Sequence, residues 1–138
     1  MDLSSLKRDR EKISGGRWIK DLDGAGDLQL KVRGLGSEEA ITYRTILERK
    51  TPRSDKDRNG MLKPMAGYRV LCEMIAEKVL LDWKGLTDSD GKEIKYTPAK
   101  AKEIMMDKDY GPFHDLVVGA AQIVDKGYDE AAEETGKN

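Results

Sequence analysis

The stretch that decides the fold lies at residues 64–84 and reads PMAGYRVLCEMIAEKVLLDWK. One apolar stripe recurs at spacings of three and four residues, and it contains Tyr68, Leu71, Cys72, Ile75, Val79 and Trp83. A second stripe, with Val70, Met74 and Leu81, lies roughly 100° away on the helical wheel. This spacing predicts one long helix from Pro64 to about Lys84. A helix that is apolar over such a wide arc either sits in the centre of the core or exposes one side to a partner.

A short alternating segment upstream of this helix predicts a β-hairpin. Leu28, Leu30 and Val32 face one way along residues 27–33, while the polar residues between them face the other way, which is the period of a half-buried strand. The preceding segment, Asp23-Gly24-Ala25-Gly26, can supply the positive φ angles of a hairpin connection. Because a lone hairpin is marginal in water, helices or a sister subunit must cover its apolar face.

Three further helices are indicated by their start signals. Ser37 is a good N-cap for a helix over residues 38–50. Thr97 caps a helix that begins with a proline and runs to about residue 107, and Pro112 starts the last helix. The residues of the first of these helices expected to face inward are Ile41, Leu47 and either Arg44 or Thr45. The predicted fold is therefore α+β and mainly α, with an N-terminal β-hairpin followed by about four helices.

Length and composition favour one small domain with two polar ends. A chain of 138 residues suits a single core. Residues 1–16 are charged and aperiodic, so they are expected to form a flexible N-terminal arm. Residues 17–126 would form the globular domain, and residues 127–138 an acidic C-terminal tail. The polar segment 51–63 is expected to be a mobile connection.

Charge and hydropathy limit the kinds of partner. The 25 basic and 26 acidic residues nearly cancel, whereas a domain that holds nucleic acid by its phosphates usually carries a basic excess. The longest apolar-rich run, residues 70–83, is broken by four charged residues and cannot span a bilayer. The N-terminus lacks the apolar core of a signal peptide, and one cysteine suits a reducing compartment. We therefore expect no nucleic-acid partner, no membrane and a cytoplasmic location.

The residues that usually carry chemistry are sparse. His114 is the only histidine and is expected at the surface, and Cys72 is expected to be a buried, inert thiol. The loop at Asp88-Ser89-Asp90-Gly91 fails as a calcium site, because the first and last ligand positions of an EF-hand would fall on Leu86 and Thr97. We therefore predict no catalytic residue, no cofactor and no metal, and a protein that is not an enzyme.

The apolar side chains remain as candidates for binding. Methionine usually fills gaps in a core, but its flexible thioether also suits surfaces that accept varied helical partners. Met105 and Met106 are adjacent, so they cannot both face one core. The predicted protein-binding residues are Val70, Met74, Leu81, Met105 and Met106. Trp83 is predicted to be a buried anchor where the long helix meets the following turn.

Residues 79–98 read VLLDWKGLTDSDGKEIKYTP. This segment resembles a stretch of the small tail assembly chaperones of long-tailed bacteriophages and prophages. Ala101, Ile104, Met105, Phe113 and Val117 continue the pattern, so the resemblance covers about residues 65–125. It implies a largely helical protein that works in the host cytoplasm. It also implies that the chain binds the tape measure protein, keeps it soluble and helps to recruit tail tube subunits around it.

Two rival functions stay open at this point. One is a structural minor tail or head-tail joining protein that is retained in the virion. The other is a small regulatory nucleic-acid-binding factor, for which the helix after Thr97 offers only Lys100 and Lys102 as basic residues. The second apolar stripe would be covered either by a sister subunit in a homo-oligomer or by the tape measure protein.

Overall fold

A small antiparallel sheet organises the protein in the computed structural model, which describes residues 1–127. Within that range the sheet has three strands, β1 (Arg17–Ile19), β2 (Gln29–Val32) and β3 (Leu80–Lys84), with β2 in the centre. The predicted hairpin is confirmed, since β1 pairs with β2 in the register Trp18 to Lys31. The alternation along the second strand is confirmed as well, because Leu28, Leu30 and Val32 are all buried.

The predicted long helix over residues 64–84 is wrong in its second half. The α-helix there, α3, spans Pro64–Met74, and a π-helical turn at Ile75–Val79 leads directly into β3. β3 pairs with the second edge of β2, where Leu30 lies opposite Trp83. The pairing of β3 with β2 satisfies backbone N–H and C=O groups that the two-stranded hairpin would leave without partners. Tertiary contacts of this kind can outweigh a side-chain spacing that is typical of a helix.

The other predicted helices are present at the expected positions. α2 (Glu38–Lys50) begins after Ser37, whose hydroxyl accepts the N–H of Ala40 at 3.3 Å. α4 (Pro98–Met105) begins after Thr97, whose hydroxyl accepts the N–H of Lys100 at 3.0 Å. α5 spans Gly111–Asp125. In α2 and α4 the capping hydroxyl satisfies an N–H that the helix itself leaves without an acceptor.

The segments predicted to be flexible have regular backbone structure. Residues 1–16 contain a 3₁₀ turn at Leu3–Leu6 and a short helix, α1 (Arg10–Gly15). Ile13 of α1 is buried, and its carbonyl accepts the N–H of Gly34 at 2.9 Å. The segment 51–63 contains a 3₁₀ turn at Arg53–Asp55 and a β-bridge between Lys56 and Leu62. The predicted acidic tail lies, from residue 128 onward, outside the described residues.

The core forms where the helices cover one face of the sheet. α5 packs against β2, α4 packs against the π-helical turn, and α2 packs against α3. Ile19, Leu30, Ile75 and Leu80 are the largest side chains that are completely enclosed. The protein is therefore a mainly helical α+β domain with a small sheet, as the sequence predicts. None of the helices within residues 1–127 combines the length and the hydropathy that a bilayer crossing requires.

Candidate protein-binding surface

Three of the five predicted contact residues lie in the interior. Val70, Met74 and Met105 are 7%, 2% and 2% exposed, and Met74 and Met105 belong to the same core cluster. This placement corrects the expectation that Val70 and Met74 lie near a surface. The physical reason is that α3 packs against both α2 and α4, so both of its apolar stripes are covered within one chain. No partner can reach these side chains while the domain is folded.

The other two predicted contact residues keep part of their surface. Leu81 is half-buried on β3, and Met106 is 38% exposed directly after α4. The adjacent methionines therefore point apart as predicted, with Met105 in the core and Met106 outside it. The five residues do not form one binding surface.

Trp83 is buried, as predicted, and it ties β3 to the segment that follows. Its indole Nε1 donates a hydrogen bond to the carbonyl oxygen of Ile94 at 2.7 Å. The rings of Tyr96 and Phe113 meet the indole edge to face, with centroids 5.0 Å and 6.0 Å away. Between Trp83 and Ile94, the carboxylate of Asp88 accepts two backbone N–H groups and closes the turn. These contacts are structural and leave the indole without access to a partner.

His114 lies inside the protein, which corrects the expectation of a surface position. Its side chain is 7% exposed in the first turn of α5, and its Nε2 atom is buried without a hydrogen-bond partner. Its ring lies 5.6 Å from that of Tyr68. Burial lowers the pKa of His114, although the neighbouring carboxylate of Asp115 acts in the opposite direction. The neutral imidazole is therefore the form that this site favours.

Cys72 is a buried thiol, as the sequence predicts. Burial raises the pKa of Cys72, and a hydrogen bond from the Tyr68 hydroxyl offsets only part of that effect. A protonated thiol is a poor nucleophile, so this environment opposes covalent chemistry. Among residues 1–127 there is also no group of three or more histidine, cysteine or acidic side chains that could hold a metal ion.

Several accessible apolar side chains lie on and beside α2, while others lie in the N-terminal segment and after α4. Ala40 is the only residue of α2 that is fully buried, with Tyr43 and Leu47 half-buried beside it. Ile41 is 54% exposed, which corrects the expectation that it faces inward. The large exposed apolar side chains there are Ile41 and Ile46 on α2, Met61 in the segment that follows it, and Met65 at the start of α3.

The sequence contained a signal for the true inner face of α2. Ala40, Tyr43 and Leu47 follow the spacing of three and four residues that marks one side of a helix. Ile41 and Leu47 are six positions apart, which places them on different sides. The expectation named Ile41 as an inward residue, whereas the packing places Ala40 against the core and leaves Ile41 outside.

The chain matches one family of known proteins over most of its length. Residues 36–138 match the family model described as "YdaY prophage protein". That match covers well over half of the chain, so the chain belongs to the YdaY prophage protein family. It begins just before α2 and leaves out the β1–β2 hairpin. No curated protein and no solved structure matches the chain.

Proposed function

We propose that this prophage protein is a tail assembly chaperone, which binds the tape measure protein and helps to recruit tail tube subunits without catalysing a reaction. The observation that carries the proposal is the exposure of apolar side chains on α2, because a helix that buries so little of itself is suited to contact another chain. Membership of a prophage family and the resemblance over residues 65–125 support the same function.

The physical demand on such a chaperone agrees with this surface. A tape measure protein is a very long helical chain whose apolar faces are unprotected until the tail tube encloses them. A carrier in the host cytoplasm needs apolar contact sites and a charged exterior, and it needs no reactive group. Ile41 and Met61 offer such contact sites, and 37% of the residues of the chain are charged.

The direct test is co-expression with the tape measure protein encoded in the same prophage. We expect the tape measure protein to be recovered in the soluble fraction with this chain, and to aggregate when it is expressed alone. If the tape measure protein is equally soluble with and without this chain, the proposed chaperone function is wrong.

A second measurement separates the chaperone from a structural component of the tail. A chaperone leaves before the tail is complete, so mass spectrometry of purified virions should find this chain absent or far below the level of tail tube protein. Recovery at a fixed stoichiometry would instead assign a minor tail or head-tail joining role.

A further inference from the structure

Two depressions lie at opposite ends of α2. The first, of about 460 Å³, lies between the second half of α2 and the 56–62 segment, and Arg44, Arg49, Lys56 and Met61 are among its lining residues. The second, of about 640 Å³, lies between the start of α2 and the N-terminal segment, and its lining includes Leu6, Lys7, Arg8, Arg10 and Ile41.

The two depressions share one face of α2. Ile41 lines the second depression and Thr45 lines the first, and residues four apart are neighbours on the surface of a helix. The hydroxyl of Thr45 donates to the carbonyl oxygen of Ile41 at 3.1 Å, which holds the Thr45 side chain against the turn of α2 that carries Ile41. From Ile41 to Arg49 this face runs for about 12 Å along the helix axis. We refer to the residues that line both depressions as the α2 groove.

Positive charge is concentrated in the α2 groove. Its cationic side chains are Lys7, Arg8, Arg10, Arg44, Arg49 and Lys56. Its two carboxylates are Glu38 and Glu48, and Glu48 is paired with Arg44 at 2.9 Å. The whole chain has a net charge of −1, so the groove differs in sign from the protein as a whole. A surface of this kind attracts a partner that carries negative charge.

Hydrogen bonds hold the backbone beside each depression of the α2 groove. On one side, the carboxylate of Asp57 accepts the N–H groups of Asn59 and Met61 at 2.8 Å and 3.0 Å, which presents the Met61 side chain outward with 66% of its surface exposed. On the other side, the carboxylate of Asp125 accepts the N–H groups of Leu35 and Gly36, both at 2.9 Å, and joins the end of α5 to the start of α2.

We propose that the α2 groove binds an acidic, amphipathic helical segment of another protein. Leu6, Ile41 and Met61 would receive the apolar side chains of that helix, and the cations along the groove would meet the carboxylates on its flanks. The proposal rests on the function proposed above, so the segment belongs to the tape measure protein. A nucleic acid fits less well, because exposed aliphatic side chains contribute nothing to phosphate binding and two carboxylates, Glu38 and Glu48, line the groove beside the cations.

The test uses the co-expression experiment with three variants of the full chain. Arg10→Glu combined with Arg49→Glu reverses one exposed charge in each depression. Lys92→Glu combined with Lys95→Glu is the matched control, because it makes the same change in net charge at exposed positions outside the groove. Met61→Ser removes an apolar contact without a change in charge. The melting temperature of each variant confirms that the domain folds.

We expect the Arg10/Arg49 variant to recover at least tenfold less tape measure protein than the wild type, and Met61→Ser to recover several-fold less. The Lys92/Lys95 control should recover as much as the wild type. If the wild type recovers the partner and the groove variants do so equally well, the groove assignment is wrong while the chaperone function stands. If the wild type recovers no partner, both proposals fail. Co-purification of nucleic acid that is lost only from the Arg10/Arg49 variant would overturn the protein partner.

Discussion

At the scale of single residues, Trp83 joins parts of the fold that are distant in the sequence. The side chain belongs to β3, its Nε1–H group is bonded to the carbonyl of Ile94, and its ring contacts Tyr96 before α4 and Phe113 in α5. The sequence predicted this anchor from the size of the indole and its place before a turn. The partners themselves could not be predicted, because they depend on how α5 returns to the sheet.

We therefore expect Trp83→Ala to be severely destabilising. Truncating a buried aromatic side chain typically costs about 3–5 kcal/mol, against a total stability of roughly 5–15 kcal/mol for a domain. Trp83→Phe is the control, because it retains a ring while it removes the hydrogen bond to Ile94, and it should cost about 1–3 kcal/mol. Urea unfolding followed by circular dichroism measures both. Equal stability of the wild type and the alanine variant would contradict the anchoring role.

The burial of His114 predicts that the stability of the domain depends on pH. Its pKa in the folded protein lies below the ordinary value of 6.5, so the unfolded chain binds a proton more readily than the folded chain does. The folded state should therefore lose stability as the pH falls below about 6.5, down to the lowered pKa of the folded state. The groups that face the imidazole are Tyr68 and Asp115, and only Asp115 carries charge in this range.

The measurement compares the wild type with His114→Leu between pH 7.5 and pH 5. The free energy of unfolding of the wild type should fall relative to that of the variant as the pH decreases, since leucine has no proton to take up. The carboxylates titrate in both proteins, so their contribution cancels in the difference. If the difference in the free energy of unfolding between the two proteins stays constant over this range, burial does not lower the pKa of His114.

At the scale of secondary-structure elements, β3 is where local sequence and tertiary structure disagree. Leu71, Ile75 and Val79 continue a helical period, and that period predicts a helix correctly only as far as Met74. What ends the helix is the open edge of β2, which is distant in sequence and is not visible in a local window. The alternation of Leu28, Leu30 and Val32, by contrast, is local and was sufficient to predict the hairpin.

The exit from β3 depends on Gly85. This residue has a φ of +79°, and a Cβ atom at this position would lie 2.6 Å from the carbonyl oxygen of Asp27. Gly91 has the same φ of +79°, but its Cβ position is open. Alanine at either site would be strained by about 1–2 kcal/mol through its left-handed conformation. Only at Gly85 would it also collide with backbone.

We therefore expect Gly85→Ala to be destabilising by at least about 1 kcal/mol more than Gly91→Ala, because overpacking adds to the conformational strain. Chemical unfolding of the two variants side by side provides the comparison, with Gly91→Ala as the control for backbone conformation alone. Equal losses would mean that β3 can move away from the Asp27 carbonyl at no measurable cost.

At the scale of the whole molecule, the binding surface was harder to predict than the fold. Apolar periodicity located the helices, but its second stripe assigned Val70 and Met74 to a surface that the folded chain encloses. The α2 groove combines residues from three separate segments, 6–14, 36–49 and 56–67. Acidic residues interrupt the basic residues of each segment along the sequence, so each segment alone is typical of a solvated surface. Only the packing of α1 and the 56–62 segment beside α2 brings the cations together.

The positive charge of the α2 groove predicts how the purified protein behaves on an ion-exchange resin in the absence of a partner. The isoelectric point is near 5.9, so net charge alone predicts that the protein flows through a sulfonate cation-exchange resin at pH 7.5. At an ionic strength near 0.01 M, screening extends over about 30 Å, and the local field of the α2 groove should still retain the protein. The Arg10→Glu and Arg49→Glu double variant should flow through, while the Lys92→Glu and Lys95→Glu variant, with the same net charge, should be retained. Identical elution of the two variants would show that net charge governs the interaction and that the groove carries no distinct field.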